Sequence, residues 1–200
     1  SIADHYTQIA SAIRGTIREK YWDATRGLFA DTYDHRSFSQ HVNSLAILAG
    51  IVTGEEATRV MERTLNDSSL IQATIYFRYY VHQALKVAGM GDHLLDNLQI
   101  WRDQMALGLT TWAEMPEPTR SDCHAWGASP NIEFFRILLG IDSNAPGFKS
   151  IRIAPSLGDL KEVSGTMPHP VGSVTASYKL DKKGKLTARL ILPTGTDGVF

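Results

Sequence analysis

The chain has 200 residues, a net charge of −1, 43% hydrophobic residues and 20% charged ones. That is an ordinary globular composition, long enough for one large domain or a medium one with a smaller companion. It carries no basic run of the kind nucleic-acid binders use and no apolar stretch near the ~20 residues of a membrane span, and its one cysteine, Cys123, excludes an intramolecular disulfide.

The first two thirds read as helices. Ile2, Tyr6, Ile9, Ile13 and Ile17 recur at three- and four-residue steps, which predicts one buried stripe of an amphipathic helix. A second helix is expected over 40–49 and ends at Gly50. Thr53 followed by Glu56 has the spacing of a capping box, opening a third helix through about 65. A fourth spans 73–88 and closes at Gly89; a fifth starts at Gly91-Asp92, with Asp92 as N-cap; a sixth runs from about 124 to 139 and stops at Gly140. Short connections make successive helices antiparallel neighbours.

Beyond Ile151 the helical period disappears. Val174, Ala176, Tyr178 and Leu180 alternate with Thr175, Ser177 and Lys179, a half-buried strand. Residues 181–184 form a turn and 185–192 the return strand. Pro146-Gly147 marks the seam. The fold class is therefore α+β: a helical part over 1–144 and an all-β, antiparallel sandwich-like part over 145–200. The chain opens at Ser1 directly into a helical pattern and closes at Gly198-Val199-Phe200 as a strand pattern restarts. It reads as a segment of something longer.

Residues 110–130 differ from everything around them. Between two predicted helices lies a stretch rich in proline and polar residues that also holds Trp112, Glu114, Glu117, Arg120, Asp122, His124 and Trp126. Loops on a rigid scaffold are where catalytic groups concentrate. Indole faces stack on the C–H groups of a pyranose, while carboxylates, Arg and His hydrogen-bond its hydroxyls. Trp112 and Trp126 are thus candidate walls of a sugar site, although large aromatics also serve as core. Arg120 is a candidate to orient Glu114 or a sugar hydroxyl, with a surface ion pair as the equal competing role. Glu117, between two prolines, is the local competitor of Glu114. Asp122 is a natural N-cap for the sixth helix, and Cys123 reads as a small buried hydrophobe. Gln40, His41 and Asn43 make a polar set at the start of an otherwise apolar helix, with Gln40 and Asn43 on one face. His41 and Asn43 enter as second-tier substrate contacts; helix capping is the competing role. Tyr76, Phe77, Tyr79 and Tyr80 on the fourth helix are expected mostly in the core, with one or two as candidates to line the pocket. His35 with His41, and His82 with His93, lack the tight spacing and carboxylate company of zinc ligands.

The order Thr-Thr-Trp-Ala-Glu at 110–114, then Arg-Ser-Asp-Cys-His-Ala-Trp-Gly-Ala at 120–128, Leu-Gly-Ile at 139–141 and Ala-Pro-Gly-Phe at 145–148 resembles bacterial α-L-rhamnosidases of glycoside hydrolase family 78. Ile-Arg-Ile-Ala-Pro at 151–155 and Gly-Thr-Met-Pro-His-Pro-Val-Gly at 165–172 resemble the start of that family's C-terminal β domain, and 39–46 resembles a helix of its catalytic barrel. The resemblance implies the second half of an (α/α)6 barrel over 1–144 and an incomplete β domain over 145–200. It also implies hydrolysis of terminal α-L-rhamnosyl residues with inversion, without metal or organic cofactor. Glu114 matches the general base and His124 a substrate-contacting histidine. The matching general acid belongs to an upstream segment, so this stretch alone is expected to be inactive. The partner implied is a rhamnose-containing glycoside or oligosaccharide, and an isolated half-barrel is expected to self-associate through unpartnered apolar faces. Another (α/α)6-barrel glycosidase or lyase, and a non-catalytic carbohydrate-binding module, are the competing readings.

Overall fold

In the computed structural model, helix α1 (Ile2–Tyr21) is opened by a capping box in which Ser1 and Asp4 satisfy each other's backbone donors. None of its residues is buried: Ile2, Tyr6, Ile9 and Ile13 are 79%, 65%, 40% and 54% exposed. The buried stripe read from its period is therefore an exposed one here. Only its last turns reach a core, where Ile17 and Tyr21 pack on other residues of the helical part. The structure describes residues 1–115, 118 and 120–200. It forms two compact units, 1–90 with 113–126 and 91–112 with 127–200.

In the first unit a short antiparallel pair, β1 (Trp22–Asp23) and β2 (Leu28–Phe29), follows α1. Then come α2 (Gln40–Leu48), α3 (Gly54–Asn66) and α4 (Ile75–Val87). Helix α2 is capped by the Ser39 hydroxyl, which accepts from Val42 N, and ends at Gly50 with φ 65°. Helix α3 buries Ala57, Val60, Met61 and Thr64, one helical face, with charged residues opposite. Thr53 is its N-cap, yet its side chain makes no capping bond, so the predicted box does not close. Helix α2 packs against both α3 and α4. The core joins Leu28 and Phe29 to Ala46, Ile47, Val60, Met61, Val81 and Leu85.

The second unit departs from the sequence reading at its helices. Residues 91–98 form two 3-10 turns, and α5 is the short helix Gln99–Ala106. Asp92 does not cap a helix; its Oδ1 accepts Gly158 N at 2.8 Å. The sixth helix is broken into a 3-10 turn over Ala125–Ala128, α6 (Pro130–Glu133) and a π-helical turn over Phe134–Leu138. Pro130 accounts for the restart, since proline has no N–H to donate and is tolerated at the first turn. Gly140, with φ 71°, ends the run as expected.

Strands β3 (Ile141–Ser143), β4 (Ser150–Ile153) and β8 (Asp197–Val199) form one sheet in that order; β5 (Glu162–His169), β6 (Gly172–Leu180) and β7 (Leu186–Ile191) form a second, fully antiparallel one. The pairing of β4 with β8 is parallel, the one such pair among the named strands. Alternation along β6 holds as read: Val174, Ala176 and Tyr178 are buried and face Ile141, Ile151, Ile153 and Met167 in a common core. The Tyr178 hydroxyl donates to Leu139 O at 2.9 Å, and burial pushes its pKa up to about 12. His169 donates from Nε2 to Phe148 O at 2.8 Å and accepts Val171 N on Nδ1, a structural clamp on the β loops. Overall the chain is α+β, a helical part followed by strands.

Candidate active site

Ala113 is fully buried and anchors the start of the candidate loop in the first unit. One residue on, Glu114 N is held by two carbonyls, Arg120 O at 3.0 Å and Ser121 O at 3.2 Å, and Met115 bridges Arg120 in an antiparallel pair. Arg120 thus lies opposite Glu114. Arg120 grips the Glu114 carboxylate with a two-pronged fork: Nε donates to Oε2 at 2.9 Å and an Nη donates to Oε1.

The fork favours the ionised form of Glu114. The Arg120 hydrogen bond, opposed by partial burial and assisted by the charges of Arg120 and His124, holds its carboxyl below the ordinary glutamate value. The side chain is still 30% exposed. An ionised carboxylate that water can reach is what a general base requires. Each oxygen accepts two hydrogen bonds, so the fork leaves lone pairs for a water. Three of the five guanidinium N–H groups of Arg120 also remain for other acceptors.

His124 and Trp126 continue the site. Ser121 Oγ and His124 Nδ1 share a hydrogen bond at 3.2 Å, and the His124 ring meets Trp126 edge-on at 5.8 Å. Trp126 lies against Tyr76 of α4 at 4.4 Å between centroids, with the planes 31° apart. Both are open to solvent, at 61% and 41%. From Tyr76 the contacts continue through Tyr80 and Phe77 to His41 of α2, which sits 4.3 Å from Phe77. Burial holds the His41 imidazole below its ordinary range, against the pull of the Asp31 charge. A neutral imidazole at that end can donate from one nitrogen and accept at the other.

The structure therefore brings Glu114, Arg120, His124 and Trp126 together and connects them to His41 through the aromatic row of α4. It corrects several readings. Asn43 is fully buried; Phe29 N donates to its Oδ1, and its Nδ2 donates to Phe29 O and Ser39 O. It braces β2 against α2 and has no polar atom left for a sugar. Gln40 is a brace too, donating to Thr64 O and accepting Ala73 N. Of the α4 aromatics Tyr76 is exposed and Phe77, Tyr79 and Tyr80 are half-buried, with Phe77 packed against the core; Ile75, Val81, Ala84 and Leu85 fill the interior. Cys123 is exposed, not buried. Asp122 lies two residues ahead of the position that would cap the turn opening at Ala125. Trp112 is half-buried and belongs to the second unit. Glu117, the competitor of Glu114, lies outside the described residues. Tyr76 is the platform residue that sequence left undistinguished among four aromatics, because periodicity alone does not say which flank of α4 the 120–126 loop covers.

Residues 140–199 match the family model described as the bacterial alpha-L-rhamnosidase C-terminal domain. The fold of the whole chain recurs in solved α-L-rhamnosidases. The GH78 family rhamnosidase of Bacillus sp. GL1 shares 26% identity and superposes with a TM-score of 0.82 over 98% of this chain and 24% of that one. The native enzyme of Aspergillus terreus shares 18% over 98% of this chain and 24% of its own, TM-score 0.77. The Streptomyces avermitilis enzyme, solved with L-rhamnose, shares 18% over 98% and 20%, TM-score 0.75. The chain thus spans about a quarter of the length of these relatives. Among curated proteins none matches it in sequence.

Proposed function

We propose that this chain, whose residues 140–199 carry the α-L-rhamnosidase C-terminal domain, is part of an inverting glycosidase that releases terminal α-L-rhamnosyl residues. In this reading residues 1–144 are the second half of an (α/α)6 barrel and 145–200 begin the β domain. Glu114 is the general base. It takes a proton from a water as that water's oxygen attacks the anomeric carbon. A protonated carboxyl from an upstream segment gives its proton to the leaving glycosidic oxygen. Inverting pairs sit about 6.5–9.5 Å apart, leaving room for that water.

The observation that carries the reading is the Glu114–Arg120 fork, which favours the ionised carboxylate in a loop whose His124 meets the exposed Trp126–Tyr76 pair. A base must be unprotonated before substrate arrives, and the guanidinium favours that form by lowering the carboxyl's pKa. His124 is placed to hydrogen-bond a sugar hydroxyl and Arg120 a second one, while the indole of Trp126 stacks on the C–H face of the ring; His41 closes the far end of the aromatic row. The substrate is a rhamnose-containing glycoside or oligosaccharide.

The test is turnover of an aryl α-L-rhamnoside by a protein carrying this segment within its complete catalytic domain. Glu114→Gln keeps the shape and removes the base, and kcat falls by about 10²–10⁴-fold, the usual worth of a positioned base. Undiminished turnover in that variant removes Glu114 from the role. Binding of L-rhamnose without any turnover in the parent enzyme points instead to a non-catalytic sugar-binding module.

A further inference from the structure

Among the non-glycine residues described, Ser121 is one of three with a left-handed backbone, at φ 53°. A serine adopts that conformation only against a steric cost that glycine escapes. Strain of this kind persists where surrounding contacts over-determine it, and it concentrates at functional sites. The contacts at Ser121 are specific. Its carbonyl and that of Arg120 share the Glu114 N–H, at 3.2 and 3.0 Å. The Arg120 side chain holds both oxygens of the Glu114 carboxylate. The Ser121 hydroxyl meets His124 Nδ1 at 3.2 Å. Two consecutive residues therefore fix the Glu114 main chain, the Glu114 carboxylate and the His124 ring.

We propose that Ser121 is a positioning residue: its left-handed turn aims Arg120 at Glu114, and its hydroxyl donates to His124 Nδ1 and so selects the imidazole tautomer with the proton on Nε2. The functional meaning of that tautomer rests on the glycosidase reading above; the geometry itself does not. Glycine would satisfy the backbone at this position without strain, and the hydroxyl is what glycine cannot supply. With Nδ1 occupied, His124 presents Nε2–H as an outward donor, suited to a hydroxyl oxygen of a sugar. Which nitrogen carries the proton is set by the bond the other one makes.

Long-range ¹H–¹⁵N spectra of the His124 ring, recorded at alkaline pH on the wild-type protein, Ser121→Gly and Ser121→Ala, test this. The wild type gives a pyridine-type, hydrogen-bonded Nδ1 and a protonated Nε2. Both variants move these resonances towards the averaged values of mixed tautomers. Ser121→Gly, relieved of the strain, unfolds at or above the wild-type temperature, whereas Ser121→Ala unfolds below Ser121→Gly. Unmoved His124 resonances in Ser121→Gly overturn the proposal, as does a fall in its unfolding temperature below that of the wild type, which would mark Ser121 as a structural residue. Glu114→Gln serves as the separate control on function. If it retains turnover while the His124 signature still depends on Ser121, the glycosidase role of Glu114 fails and the positioning stands.

Discussion

At the scale of single residues, polar side chains in this protein divide by whether backbone or solvent claims them. Asn43 spends its whole carboxamide on three backbone groups of Phe29 and Ser39 inside the first unit. Asn43→Ala leaves those buried groups unpaired, and about 3 kcal/mol of unfolding free energy is expected to disappear in urea titrations. Glu114 faces the other way, and its one strong partner is Arg120. Its carboxyl lies below the ordinary value in the folded chain. The fork therefore contributes above the ordinary carboxylate range and is lost as pH falls through the lowered value. Arg120→Gln is expected to raise the Glu114 midpoint towards that of an unpaired glutamate in a carboxyl ¹³C NMR titration. An unchanged midpoint would show that the fork does not exist in solution. Residue types at 110–126 mark the candidate stretch in sequence; the pairing of Arg120 with Glu114 is not legible there, because no local period sets two residues six apart against each other.

At the scale of elements, ends are more legible than interiors. Gly50, Gly89 and Gly140 all stop helical segments with φ between 65° and 73°, because only glycine enters the left-handed region freely. At Gly140 space is the stronger constraint: an added Cβ would lie 2.1 Å from the Ala154 carbonyl carbon. Gly140→Ala should therefore cost ~2 kcal/mol or more, since strain and overlap add. Tyr178→Phe, which removes one buried donor to Leu139 O, should cost about 1 kcal/mol. Equal denaturation midpoints for the two variants would contradict this ordering. The alternation of β6 was readable because a half-buried strand has only one period to satisfy. The sixth helix was not, because its 3-10, α and π turns follow one another over 125–138 and differ in hydrogen-bond closure that no periodicity records.

At the scale of the whole molecule, α1 is the outlier. Its stripe of Ile2, Tyr6, Ile9 and Ile13 has the pattern of a core face and stands in solvent. The chain spans about a quarter of its rhamnosidase relatives, and exposed apolar stripes promote association. Sedimentation of this chain alone is expected to show concentration-dependent oligomers, and Ile9→Glu with Ile13→Lys to return it towards monomer. A clean monomer at high concentration would count against an unpartnered helical face. By itself the sequence determined the α+β order, the helix stops, the core alternation of β6, the likeness to rhamnosidases and the stretch that holds the candidate chemistry. Those properties are written in local period, in residue type and in motif. Tertiary structure alone decided that Asn43 is a brace, that Tyr76 joins Trp126 as an open platform, that Arg120 forks Glu114 and that Ser121 holds His124. These depend on how the backbone turns and which segments approach one another, and a linear pattern carries the period of a face without naming what the face will meet.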